Sequence, residues 1–179
     1  MVLTPLHYPA AYVLYKGSRR KLCLPGLVIG SFLPDIEAPI LLAVGFEYPY
    51  DRLVLHSIIG SIAFSWLLAL IFLPLYKFFV EFFLNVKFER KEGIFNFVIS
   101  AELGSLSHIL IDASHHRYNP LLWPISNNSV DAFVLFGNWY VASVIMHIIF
   151  ASLLLIIVRY EANKYGISEF WKPENLKFI

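Results

Sequence analysis

Three apolar stretches dominate the chain, residues 53–84, 94–113 and 131–158. A helix crossing the hydrocarbon core of a bilayer needs about 20 consecutive, mostly apolar residues, and each stretch reaches that length. Lipid offers no hydrogen-bond partners, so a spanning segment must satisfy its own backbone; an open sheet cannot, a helix does. The composition agrees. Of 179 residues, 58% are hydrophobic, 17% aromatic and only 15% charged, against about a quarter charged in a soluble globular chain. The expected fold is all-α, a polytopic membrane helical bundle, with a single domain over residues 1–179.

Shorter helical segments precede the long ones. Residues 5–15 follow Thr4, an N-cap candidate, with Pro5 at the first helical position. Residues 22–33 are apolar up to Pro34, which is expected to end that helix, and a second short piece covers 36–46. These segments are expected to pack as half-spans, giving about three full spans plus two shorter N-terminal segments. Pro74 is an expected kink in the first long span, and residues 161–179 an expected polar surface tail.

Basic residues orient the bundle. Lys16, Arg19, Arg20 and Lys21 separate the first two segments; Lys87, Arg90 and Lys91 precede residues 94–113; Arg159, Lys164, Lys172 and Lys177 follow the last span. With alternating topology all of these fall on one side, which the positive-inside rule makes cytoplasmic. Arg52 and Arg117 fall on the other side. A net charge of +1 gives no attraction to nucleic acid, and none is expected as a partner. The single cysteine, Cys23, excludes an intrachain disulfide.

The same topology gathers the residues that do not belong in lipid. His7, Asp35, His56, His108 and Asp112 come from four separate segments, all toward the non-cytoplasmic side. At 1.5 Å per residue, His7, Asp35 and His108 stand roughly 14–22 Å above their basic loops. An isolated intramembrane Asp or His costs about 2.5 kcal/mol or more, so these groups need partners. His108 and Asp112, spaced i, i+4, share one helical face. With His56 and Asp35 they make a mixed nitrogen and oxygen ligand set of the kind zinc favours. One or two divalent ions, zinc foremost, are the expected cofactor. His115 and His116 lie just past the helix end, where they can take a second ion or a phosphate. Asp51 is the candidate general base, His116 a candidate for the leaving group, and Arg52 and Arg117 candidates for holding an anion. The plainer alternative is a His–Asp hydrogen-bond network that joins helices without metal. Glu102 lies off the His108 face, His147 sits alone in the last span, and Ser57, Gly60 and Ser61 read as close-packing residues.

The strings "LPDIEAP", "DRLVLHS" and "GSLSHILIDASHHRYNPLLWP" resemble, in that order, the motifs of the YdjM-like family of LexA-regulated inner-membrane metal-dependent hydrolases. Those motifs are PD, HRxxTHS, and G-x-x-SH-x-x-x-D followed by LLWP. The resemblance implies that His7, Asp35, His56, His108 and Asp112 are the metal-site residues. More distantly, the order of ligands is similar to that of the zinc-dependent phospholipase C and nuclease superfamily, which implies an all-α fold and phosphodiester hydrolysis. The chain departs from these patterns at Asp51, where the family has His, and at Leu55, where it has Thr. It also has no later HxxxE pair, since Ala151 stands four residues after His147. One or two ions are therefore implied rather than three. The expected function is a membrane-embedded hydrolase acting on a phosphoester of a lipid or other amphiphile. The alternatives are a non-enzymatic membrane protein with a structural cluster, such as a partner-binding or regulatory subunit, and a small transporter, which the gathering of polar groups at one side disfavours.

Overall fold

The computed structural model describes residues 4–47, 50–83 and 93–165, and among these every regular element is helical. A 3₁₀ turn, Thr4–His7, leads into helix α1 (Tyr8–Gly17). Then come α2 (Leu24–Ala43), α3 (Ile58–Phe83), α4 (Ile94–Ala113) and α5 (Trp139–Tyr165). Four of these, α2 to α5, are long and apolar enough to cross a membrane. The basic residues 87, 90, 91, 172 and 177 used for orientation lie outside the described residues, as does the tail from residue 166.

Helix α2 corrects the expected break at Pro34. It runs unbroken through Pro34 and Pro39. Most of its residues are buried inside the bundle, where neighbouring helices hold a proline-interrupted backbone in place. It ends instead at Gly45, whose φ of +93° suits glycine. The Phe46 N–H donates to Leu41 O and the Gly45 N–H to Leu42 O, closing the helix with a Schellman motif. The N-terminal pair of half-spans is thus one short helix and one full-length helix.

The central contact is between α2 and α4. Gly26 and Gly30, four residues apart, turn toward Phe97 and Ala101, and Gly104 turns toward Leu27. A Cβ on Gly30 would lie 1.9 Å from Ala101 O, and one on Gly104 2.2 Å from Leu27 O. Small residues let two backbones meet closely where lipid provides no hydrophobic drive between helices. The Cys23 N–H donates to Ser100 Oγ at 2.8 Å, and Asn96 Nδ2 to Lys21 O at 2.7 Å, fixing the register at the other end of this crossing. Between α3 and α4, Ser61 and Ser65 both donate to Ser105 Oγ at 2.8 Å. The substitution Gly30→Ala should cost at least about 1–3 kcal/mol, the usual range for overpacking, because the obstacle is backbone. A thermal midpoint in detergent equal to that of the parent protein would show that the helices cross less tightly.

Helix α5 also differs from expectation. Residues 131–138 are not part of it: two 3₁₀ turns, Asp131–Phe133 and Leu135–Gly137, come first. The side chain of Asn138 then accepts from the N–H groups of Tyr140 and Val141, and so starts the helix. One stripe of α5 is buried, with Ala142, Phe150, Ile157 and Glu161 along it. Glu161, expected to open a surface tail, is 1% exposed. It accepts hydrogen bonds from Tyr12 Oη and, at 2.9 Å, from Lys16 Nζ. Burial of a carboxylate is tolerable because a cation and a hydroxyl meet it, and the contact ties α5 to α1.

Candidate metal centre

Five stretches of the chain deliver the parts of a buried cluster at one end of the bundle. The Thr4–His7 turn brings His7. The second half of α2 brings Asp35. The segment before α3 brings Arg52 and His56. The C-terminal half of α4 brings His108 and Asp112, and the turn after it brings His115 and His116. His7, His56, His108, His115 and Asp112 are all at most 4% exposed.

Asp112 stands at the middle. Its Oδ2 lies 3.3 Å from His108 Nε2, 3.4 Å from His116 Nε2 and 3.8 Å from His56 Nε2. Its Oδ1 lies 3.6 Å from His7 Nε2 and 3.8 Å from His115 Nε2. Asp35 Oδ1 is 3.6 Å from His108 Nε2. These separations exceed the 2.7–3.2 Å of a good N–H···O bond. They approach the spacing of ligands around one ion: bonds of ~2.0–2.2 Å in a tetrahedron place ligand atoms ~3.3–3.6 Å apart. Accordingly the Nε2 atoms of His7, His56, His108, His115 and His116, both oxygens of Asp35, and Asp112 Oδ1 have no hydrogen-bond partner among the described residues. So many orphaned polar atoms facing one another would be costly if nothing joined them. A metal ion would satisfy them together, and the residues present fit one.

The far side of the rings supports the same reading. His108 Nδ1 donates to Ser31 O at 2.7 Å, and His115 Nδ1 to Ile111 O at 2.8 Å. A carbonyl can only accept, so it places the ring proton on Nδ1 and leaves Nε2 with a lone pair. His56 Nδ1 meets Glu37 Oε2 at 2.9 Å. Metal-binding histidines are held from behind in this way, by carbonyls or carboxylates. Burial, with the neighbouring His108 adding to it, pushes the His7 imidazole down to about 3. Burial likewise takes His116 to about 3 and lowers His56 and His115. At neutral pH these rings are therefore uncharged, the form a cation requires.

Glu37 is the residue that sequence reasoning missed. It is 6% exposed, and besides His56 it accepts the backbone N–H groups of Leu53, Val54 and Leu55 at 2.5–3.2 Å. One carboxylate thus shapes the segment leading to His56 and orients its ring. The available signal was a second acid two residues after Asp35 in a helix otherwise destined for lipid. Asn119, also buried, plays a related part. Its Nδ2 donates to His116 O at 3.0 Å and steadies the turn carrying that ring.

The candidate anion-binding and base residues divide. Arg52 is inside the centre, 5% exposed, its Nη1 donating to Asp112 Oδ2 at 2.8 Å and its Nη2 without a partner among the described residues. Asp51 is buried with Oδ1 likewise unpartnered but belongs to neither set of close ligand atoms. Arg117 is exposed. His147 stays outside the ligand sets, its ring edge-on to His115 at 6.5 Å and its Nδ1 at 2.7 Å from Ser143 O. Glu102 faces α3, accepting from the Trp66 N–H at 3.0 Å.

The ligand atoms form two sets, each within 4.8 Å internally: Asp35, His56, His108 and Asp112; and Asp112, His115 and His116. Either can hold a divalent ion. No curated protein and no solved structure matches the chain. A family model does, over residues 6–171 and thus through every ligand named above. With its apolar helices and its buried His/Asp centre, the chain belongs to the YdjM inner membrane protein family.

Proposed function

We propose that the protein is a metal-dependent hydrolase of the membrane, acting on a phosphoester of a lipid or other amphiphile. The observation that carries this reading is the set of histidine Nε2 atoms gathered around Asp112, with the rings of His56, His108 and His115 held from behind. When bound, a divalent ion such as zinc supplies Lewis-acid polarisation and a water acidified to a pKa of about 7. The protein's own groups do the rest. Arg52, with Nη2 unpartnered and buried, holds a non-bridging phosphate oxygen. Asp51 takes the proton of the attacking water. The water oxygen bonds to phosphorus, the P–O ester bond breaks, and Asp51 passes the proton it took to the departing ester oxygen, which leaves as an alcohol. Lys16, Arg19, Arg20 and Lys21 lie at the opposite end of α1 and the start of α2. The positive-inside rule then opens the centre to the non-cytoplasmic side, where lipid head groups reach it from the bilayer.

The test uses the purified protein in vesicles of phosphatidylglycerol doped with phosphatidic acid, measuring release of glycerol phosphate and of inorganic phosphate. Activity should vanish on full chelation and return with zinc. Activity that survives metal removal overturns the mechanism, and so does inactivity toward both lipids at full metal loading. A purely structural centre is the second reading. It is favoured by the fact that Asp35, His56, His108 and Asp112 already offer four protein ligands, the number that closes a structural zinc site.

A further inference from the structure

We infer that the centre holds two ions of unlike character, bridged by Asp112: a closed one on Asp35, His56, His108 and Asp112, and an open one on Asp112, His115 and His116. The inference rests on the hydrolase reading and assigns the reactive position within it. The first ligand set takes one atom from each of four buried side chains. Four ligands fill a tetrahedron and leave no position for water or substrate. The second set offers three, the number found in catalytic zinc sites, which keep a fourth position open. The two sets share only Asp112. Its carboxylate has the capacity to serve both, since two oxygens carry about four lone-pair sites.

The surroundings agree with this division. Beside the closed set the ring of His7, fully buried, stacks on His108 at 3.9 Å by centroid. His115 and His116 of the open set lie past the end of α4, in a turn whose next residue, Arg117, is exposed. His116 is itself the least buried of the ligand histidines, at 9%. His7 Nε2 and His115 Nε2 lie 3.6 and 3.8 Å from Asp112 Oδ1.

Elemental analysis of the zinc-loaded protein in detergent should give two ions per chain. His116→Gln should give one, with lipid phosphoester release lost and the thermal midpoint nearly that of the parent. His56→Gln should lower the midpoint as well as the metal content. Should a variant fail to fold, cobalt titration of the parent protein decides the matter: its visible absorption should rise in two distinguishable saturating phases. One ion per chain in the parent, or two retained in a folded His116→Gln, overturns the inference while leaving a one-ion hydrolase standing. No metal at all overturns both readings.

Discussion

Asp112→Asn is expected to empty the centre of metal and abolish any metal-dependent activity, the largest loss from a single substitution. Five histidine Nε2 atoms lie within 3.8 Å of this one carboxylate, so both ligand sets lose their common member. The amide is nearly the same shape, and the loss is one of charge. That charge also serves Arg52, whose Nη1 donates to Asp112 Oδ2 at 2.8 Å with both side chains about 5% exposed. Removing one partner of a buried ion pair typically costs about 3–5 kcal/mol, because the other charge is left uncompensated. Stability should fall on that scale. The double variant Arg52→Met, Asp112→Asn should recover much of it and still bind no metal. Elemental analysis and thermal denaturation read these two effects separately. Metal retained by Asp112→Asn would show that the carboxylate is only a partner for Arg52.

Glu37 should produce the second-largest effect, at a residue outside both ligand sets. Its carboxylate gathers three consecutive backbone N–H groups and the Nδ1–H of His56. In Glu37→Ala each buried donor left without an acceptor costs about 1–3 kcal/mol. Leu53 and Val54 are only half-buried and recover part of this from water. His56 would then be free to rotate and to change tautomer. Glu37→Gln is the informative variant, because its carbonyl still accepts while the charge is gone. Loss of a group that orients a ligand from behind typically weakens metal binding by about 10–100-fold. A competitive titration against a chromophoric chelator should show a drop of that size for Glu37→Gln, with most of the stability kept. Unchanged affinity would reduce Glu37 to a loop-capping residue.

What the sequence made legible, and what it hid, follows from the range of the interactions involved. Helix α4 matches residues 94–113 because its apolar run begins after a charged turn and closes where His115, His116 and Asn119 take over; these are local signals. The meeting of Asp35, His56, His108 and Asp112 was legible because lipid restricts where ionisable residues can stand, so that depth along the helices predicted proximity. Pro34 misled because its effect depends on burial. A proline that ends an exposed helix is carried through when α4 packs against the same turns, and the Gly26–Gly30 spacing was the available warning. Glu161 misled for the opposite reason. Polar residues after a long apolar run read as a surface, yet Tyr12 and Lys16 stand ready to meet the acid. Glu37 left no trace in periodicity, since most of its partners are backbone groups that every sequence possesses.

The Glu161 contact also sets an order on biogenesis. Tyr12 is separated from its acid by 149 positions, and the turn that carries His7 directly precedes the helix bearing Tyr12. While the ribosome is still making the final span, α1 can already pack on α2, but the Tyr12 hydroxyl has no acid to meet. A nascent chain can therefore bring His7, Asp35, His56 and His108 together first, and the tie from α1 to α5 forms only after residue 161 has been made.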